Sequence, residues 1–360
     1  MSSEPMPSHG VMEGQGAYNK YARLPAGGAA LALPLFESAA SNVELDTSDL
    51  PLVIADYGSS QGKNSLAPMQ AGIRILHHRL GPHRSISVYH IDQPSNDFRT
   101  LFEVLDADPD RYTLGDPNVF PGAIGRSFYE SVLPPNSVHL GWSSYAVVWL
   151  SSVPALIPDH FMPLRSTGAV RTEFERQAAR DWEAFLSLRS RELRKGGRLV
   201  VVLPALADDG TSGFENLMDE ANAVLAEMVV DGAIMAEERA RMTLGAYPRR
   251  KCELLAPFED KGGFQDLTVE ACEMFTLPDA AWNDYERDGN REAFATKHVL
   301  FFRSIFVPSL ASALDRVRSG DANALRMFGD QVEARLKRRI ASQPKAMHSF
   351  TQAIVLAKQT

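Results

Sequence analysis

Leu52-Val53-Ile54-Ala55-Asp56-Tyr57-Gly58-Ser59-Ser60-Gln61-Gly62 decides the fold. An apolar, β-branched run ends in an aspartate, a glycine turn follows, and Asn64 to Leu80 then places apolar residues at helical spacing. Strand, glycine turn and helix in that order predict an α/β nucleotide-type fold. Glycine allows a ligand to approach the backbone closely, and Asp56-Tyr57-Gly58 adds an acidic group able to hold an ammonium or a hydroxyl. Neither common phosphate-binding pattern is met. The three glycines of a dinucleotide fingerprint are missing, and Lys63-Asn64 follows Gly62 where a phosphate loop would carry Gly-Lys-Ser or Gly-Lys-Thr. A second strand, Ile86 to Ile91, ends in Asp92, which lies 36 residues after Asp56 instead of the usual roughly 20. The pattern therefore points to a nucleoside cofactor without a pyrophosphate, with Asp92 able to accept from both ribose hydroxyls. The same carboxylate also fits the blander role of a helix cap.

On the N-terminal side, a polar, proline-containing start runs through Gly14, Gly16, Gly27 and Gly28 into an alanine- and leucine-rich helix around Ala29 to Ala40. This leader reads either as disordered or as a flap over a ligand. On the C-terminal side, Phe98, Leu101, Phe102 and Leu105 form one face of a helix, and 106–120 reads as irregular. Val138 to Leu150 is apolar enough for a buried strand and the start of a helix. Trp182 to Leu193 predicts an amphipathic helix, Lys195-Gly196-Gly197 a turn, and Val200-Val201-Val202-Leu203 a late sheet strand. Helical periodicity continues over 214–241, short elements over 246–278, aromatic-rich helices over 282–311, and a last basic-ended helix over 323–340. So much helix after residue 205 suggests a cap over the catalytic edge of the sheet. The chain thus divides into an N-terminal flap and helix (1–40), the main part of the cofactor-binding α/β domain (41–210), and a mixed segment (211–360) contributing the cap and the remaining core elements.

Composition limits the partners. The 360 residues, 44% apolar, are enough for one large or two ordinary domains and exclude a disordered chain or a disulfide-stapled miniprotein. With 45 acidic against 37 basic residues, the net charge of -8 offers no bulk attraction to nucleic acid or anionic lipid. Cys252 and Cys272, the two cysteines, are not at zinc spacing and no metal cluster is evident. The start lacks a signal-peptide pattern and no stretch of about 18 apolar residues occurs, so a soluble cytoplasmic protein is expected.

Several blocks together carry a resemblance. They are Tyr18; 54–64, quoted in part above; Asp92-Gln93-Pro94-Ser95-Asn96-Asp97-Phe98; Ser127-Phe128-Tyr129; and Ser143-Ser144-Tyr145-Ala146-Val147-Val148-Trp149-Leu150 with Ser151 to Pro154. In this order the sequence resembles the SABATH family of S-adenosylmethionine-dependent carboxyl methyltransferases, known from plant salicylate and benzoate enzymes, over nearly the whole chain. The resemblance implies a class I methyltransferase fold, a mostly parallel seven-stranded Rossmann-like sheet with a helical cap, commonly in a homodimer. It implies that Tyr18, Gly58 and Asn64 border the methionine part of the cofactor, that Asp92 holds the ribose, and that Gln93 sits beside the adenosine. Ser127 and Phe128 would surround the adenine; Tyr145 and Trp149 would line the acceptor site, with the Trp149 indole N–H on a carboxylate oxygen. Asp56 joins the cofactor residues from its place at the strand end.

The chain departs from the plant pattern near its start. Ala17 precedes Tyr18, Tyr21 and Ala22 replace an asparagine-serine pair, and Pro25 stands where a glutamine would hold the acceptor carboxylate. Arg23 or a cap residue is the expected substitute, or the substrate has changed. Phe214, Met218 and Trp282, with several phenylalanines, are available for an apolar aryl site, and His139 reads as structural. The expected activity is methyl-ester formation on a small aromatic or unsaturated acid, which is already an anion at neutral pH and needs positioning more than a base. The alternatives are an N- or phenolic O-methyltransferase, or a cofactor-binding protein without catalysis.

Overall fold

The computed structural model describes residues 6–7, 10, 12–14, 16–46, 48, 50–259 and 262–359. Its centre is a seven-stranded sheet: β1 (Leu52–Tyr57), β2 (Ile86–Asp92), β3 (Val119–Gly125), β4 (Val138–Ser144), β5 (Leu193–Ala205), β6 (Leu267–Thr276) and β7 (Phe350–Lys358). The strand order is β3-β2-β1-β4-β5-β7-β6. Strands β1 to β5 pair in parallel, and β7 inserts antiparallel between β5 and β6, so β7 alone runs against the rest. Chain order reverses beside β1, whose neighbours are β2 on one side and β4 on the other. In an open α/β sheet the ligand crevice opens at such a switch, outside the carboxyl ends of the strands.

Alternation along the strands divides the core. Ile54, Val88, Leu140, Trp142 and Val200 face the helices Arg23–Asn42, Leu66–Leu80 and Phe98–Ala107. Ala55, Tyr57, Ile91, Leu199 and Val201 face the long helix Gly168–Glu192 through Trp182 and Phe185. A third apolar cluster joins the helices Glu215–Val230, Arg291–Ala311 and Ala322–Ser342 into a cap. Ala22, Val148, Phe161 and Met162 complete it from earlier in the chain.

Several boundaries differ from the sequence reading. The first long helix begins at Arg23, not Ala29, and contains Gly27 and Gly28; a Cβ on Gly28 would overlap the Tyr145 hydroxyl, so the glycine makes room rather than a break. No helix starts after β4: the strand stops at Ser144 and Tyr145 turns at φ 57°. The expected turn at Gly196-Gly197 lies inside β5, where a register shift against β4 absorbs it. Strand β3 was hidden by Pro121, Gly122 and Gly125, residues tolerated on a sheet edge. Strand β6, the opposite edge, carries Glu270 and Glu273 and lacks a continuous apolar run. Strand β7 lies beyond the last helix that periodicity predicted.

Candidate active site

Each chemistry-bearing block begins where a parallel strand ends. Gly58 follows β1, Gln93 follows β2, Ser127 lies two residues past β3, and Tyr145 follows β4. The peptide units turn out of the sheet there and their side chains converge on one crevice. A cavity of about 390 Å³ occupies it, bordered by Tyr18, Gly58, Gln61, Asp92, Gln93, Ser127, Phe128, Tyr145 and Trp149. Eight of the ten residues singled out from the sequence are in that lining.

Asp92 forms one wall. Its Oδ2 accepts from the Ser60 N–H at 2.7 Å and its Oδ1 from the Gln93 N–H at 2.7 Å. Burial pushes its carboxyl up to about 6, those two backbone donors pull it down, and the negative charge of Asp56 adds to the rise. At neutral pH the group is ionised, with lone pairs left for ligand hydroxyls. Burial, with Asp92 nearby, also raises the Tyr18 phenol well above its ordinary value.

The turn after β1 is shaped for a ligand. Gly58 has φ 89°, a left-handed conformation, and a Cβ there would overlap that of Ala146. Beside it, Ser59 Oγ, Ser60 Oγ and Gln61 Oε1 are buried without hydrogen-bond partners among the described residues, and Ser60 and Gln61 line the cavity. Unmatched polar atoms in a buried turn are costly unless a polar ligand meets them.

Two predicted residues lie outside the cavity wall. Asp56 is 2% exposed, and its Oδ2 is taken by Ser65 Oγ at 2.5 Å and His90 Nδ1 at 2.9 Å; His90 Nε2 in turn meets the Tyr112 hydroxyl at 2.7 Å. The carboxylate braces the turn from beneath instead of reaching the ligand. Asn64 belongs to the short helix Lys63–Ser65, and its side chain meets the Tyr18 hydroxyl.

A second, apolar pocket of about 80 Å³ adjoins the first, and Met12, Tyr18, Tyr145 and Trp149 line both. Its other walls include Leu24, Pro25, Met162, Phe214, Met218, Phe301 and Phe306. The Tyr145 hydroxyl is hydrogen-bonded to Thr351 Oγ1. The Trp149 indole N–H has no partner among the described residues. Its ring lies against Gly10 and Phe306. Phe214 and Met218 therefore stand where the sequence suggested. Trp282 does not: it packs on Tyr285 and Phe294, away from the pocket. Arg23 is exposed and lines neither cavity, so it is no substitute for the glutamine that Pro25 replaces. His139 is structural, its Nδ1 accepting from the Val53 N–H at 3.1 Å.

Sequence reasoning missed the groups that hold these walls. The Tyr129 hydroxyl donates to the Trp149 carbonyl at 2.8 Å, tying the loop after β3 to the acceptor wall. Arg189, fully buried, donates to the carbonyls of Phe128 and Glu130 and pairs with Glu192 at 3.0 Å. Glu192 then accepts from the N–H groups of Val132 and Leu133. The buried Arg249 donates to the Val147 carbonyl at 2.7 Å. Tyr129 stood inside a quoted block, but the two arginines carry no local signal. The leader also acts as a wall: the Gln61 amide donates to the Glu13 carbonyl at 2.8 Å, and the Glu13 N–H donates to the Ser304 carbonyl. Among the described residues no cluster of His, Cys, Asp and Glu could hold a metal ion, and no helix is long and apolar enough to cross a membrane.

Comparison with known proteins agrees with this geometry. Residues 7–359 match the family described as SAM dependent carboxyl methyltransferase. A protein named methyltransferase FUS9 from Gibberella fujikuroi is 35% identical over 242 residues, 66% of this chain and 64% of its own length. The benzoic acid/salicylic acid carboxyl methyltransferase 3 of Petunia hybrida is 30% identical over 280 residues, covering 74% of this chain and 76% of that protein. The match thus spans a little under two thirds of the fungal relative and about three quarters of the plant one. Among solved structures, loganic acid methyltransferase with SAH superimposes with a TM-score of 0.74 over 97% of this chain and 99% of that one, at 22% identity, a likeness of fold.

Proposed function

The chain belongs to the SABATH family of SAM-dependent carboxyl methyltransferases, and from that premise we propose that it forms the methyl ester of a small, aromatic or unsaturated carboxylic acid. The observation that carries the reading is the shared wall of Tyr18, Tyr145 and Trp149 between the cavity at the strand ends, which holds Asp92 and Gln93, and a more apolar pocket. S-adenosylmethionine, when bound, supplies an electrophilic methyl group on a positively charged sulfur. The unmatched polar atoms around Gly58 and the ionised Asp92 suit its polar parts. Asp92 would accept from the ribose hydroxyls, Gln93 and the Ser127-Phe128 pair would flank the base, and Tyr18 and Gly58 would border the amino-acid end.

On the acceptor side, the Trp149 indole N–H donates to one carboxylate oxygen and Tyr145 borders the reacting end. The apolar walls exclude water from the anion, which raises its reactivity and fixes its direction of attack. No proton needs removing. Among the described residues no histidine, aspartate or glutamate lines the apolar pocket, which favours an ionised acid over a phenol or ring nitrogen that would need a base. The same reading takes a cytoplasmic homodimer with neither nucleic acid nor membrane as partner, and the divisions 1–40, 41–210 and 211–360 as its working parts.

Mass spectrometry of the purified protein with labelled S-adenosylmethionine and a panel of carboxylic acids, phenols and nitrogen heterocycles tests the proposal. A labelled ester is the expected product. An N-methyl or aryl ether product, or cofactor binding without turnover on any acid, would overturn it.

A further inference from the structure

The described residues give the acceptor site no cation of its own. Among the described residues, no lysine, arginine or histidine lines either cavity. The charged side chains that do are Glu13, Asp92 and Asp97, all acidic. Arg303, which reaches Glu13 Oε1 at 3.2 Å, is also held by Asp330 at 2.8 Å and Glu333 at 2.6 Å, and lines neither cavity.

Neutral donors are scarce as well. The Tyr145 hydroxyl is engaged with Thr351, and Ser212 Oγ donates to Glu215 Oε1 at 2.8 Å. Pro25 presents no donor. The Trp149 indole N–H and the Tyr18 hydroxyl are what an entering carboxylate would meet. Moving an anion out of water into an apolar pocket beside acidic side chains is strongly unfavourable unless a positive charge balances it.

Resting on the carboxyl-methylation reading above, we infer that the acid's counter-ion is the cofactor's own sulfonium, so that the acid binds more tightly to the protein already loaded with a cationic cofactor. Acid binding to the protein without cofactor, or with the neutral thioether product S-adenosylhomocysteine, is then weak. Turnover removes both charges at once: the sulfonium becomes a thioether as the carboxylate becomes an ester. The site thus retains no charge attraction for a second acid until the cofactor is exchanged. By linkage, the acid tightens a cationic cofactor by the same factor that the cofactor tightens the acid.

The test is equilibrium binding by calorimetry on the full chain. The protein is saturated either with S-adenosylhomocysteine, which is neutral at sulfur, or with sinefungin, an unreactive analogue carrying an ammonium in place of the methyl sulfonium. The probes are benzoate, cinnamate and octanoate, with benzamide as a neutral control. At least tenfold tighter binding of the acids to the sinefungin complex is expected, with benzamide changing less than twofold. Equal affinity of an acid for the two complexes would overturn the inference while leaving the methylation reading intact. Failure of every acid to bind either complex, with both cofactor analogues bound, would remove the carboxyl reading and this inference with it.

Discussion

Asp92 should make cofactor binding depend on pH in a range where few other groups titrate. Its carboxyl is held up to about 6, first by burial and then by the charge of Asp56, against the pull of the Ser60 and Gln93 N–H groups. Ribose hydroxyls donate to the ionised form, whereas a protonated carboxyl offers fewer acceptor sites and a competing O–H. If only the carboxylate binds, the apparent dissociation constant rises by a factor of about 1.1 at pH 7 and about 11 at pH 5. Affinity for S-adenosylhomocysteine should therefore weaken about tenfold, or about 1.4 kcal/mol, between those values. Calorimetry in two buffers of different ionisation enthalpy should also detect release of roughly half a proton per binding event near pH 6.

Stability should move the other way. A carboxyl whose folded pKa lies above its unfolded value binds its proton more tightly when folded, so the ligand-free protein loses stability as pH rises from about 4 through about 6. The shift from 3.8 to about 6 corresponds to at most about 3 kcal/mol. The Asp92→Asn variant removes both effects. Its unfolding free energy, relative to wild type, should improve by up to about 3 kcal/mol from pH 4 to pH 7. Its cofactor affinity should be low and flat with pH, having lost charge-assisted bonds of about 1.5–3 kcal/mol each. Wild-type affinity that is unchanged from pH 7 to pH 5, or an Asp92→Asn variant that keeps the wild-type slope, would refute the assignment.

Trp149→Phe keeps the ring but removes the indole N–H; kcat/KM for a carboxylate should fall ten- to hundredfold, the equivalent of about 1.5–3 kcal/mol for a hydrogen bond to a charged group, and full retained efficiency would contradict the role. Gly58→Ala meets both a left-handed backbone at φ 89° and the Ala146 side chain, so a soluble variant with wild-type affinity for S-adenosylhomocysteine is not expected. Arg189→Met leaves Glu192 buried opposite an apolar group; a loss of about 3–5 kcal/mol in denaturant unfolding should follow, and an unchanged midpoint would show that the pair does not hold the loop after β3.

The legible half of the site lies at the carboxyl ends of β1 and β2, because there the motif and the strand end are contiguous in sequence, and Gly58 and Asp92 needed no long-range contact to be found. Gln93, Ser127 and Phe128 were marked by the resemblance to the family alone, the strand before Ser127 being hidden. Asp56 shows where that logic fails. It is the last but one residue of β1 and pairs in register with His90, two residues short of Asp92, so it stops inside the sheet, where His90 and Ser65 take its carboxylate. Edge strands β3 and β6 were obscured by proline, glycine and glutamates, which a strand can accept when one side of it is open. The arginines that brace the loops were illegible for a different reason: Arg189 and Arg249 are buried by partners 59 to 102 residues away, and nothing beside them in sequence marks an arginine as internal.

The acceptor pocket was harder still, and its construction explains why it can change without disturbing the fold. Its walls come from the leader (Met12), the first long helix (Leu24, Pro25), the segment after β4 (Val148, Trp149) and the cap (Phe214, Met218, Phe301, Phe306). Each is an apolar residue that would pass for ordinary core, and several belong to the same cluster that holds the cap together. Pro25 occupies the first turn of its helix, where an absent N–H leaves no helical hydrogen bond broken. Exchange of a donor for proline at that position therefore costs the fold little and removes a polar contact from the pocket. The cofactor end has no such freedom: Gly58 is fixed by its backbone and by Ala146, and Asp92 by two backbone donors. Variation in the acid accepted can consequently accumulate on one side of the Tyr18, Tyr145 and Trp149 wall while the other side remains constrained.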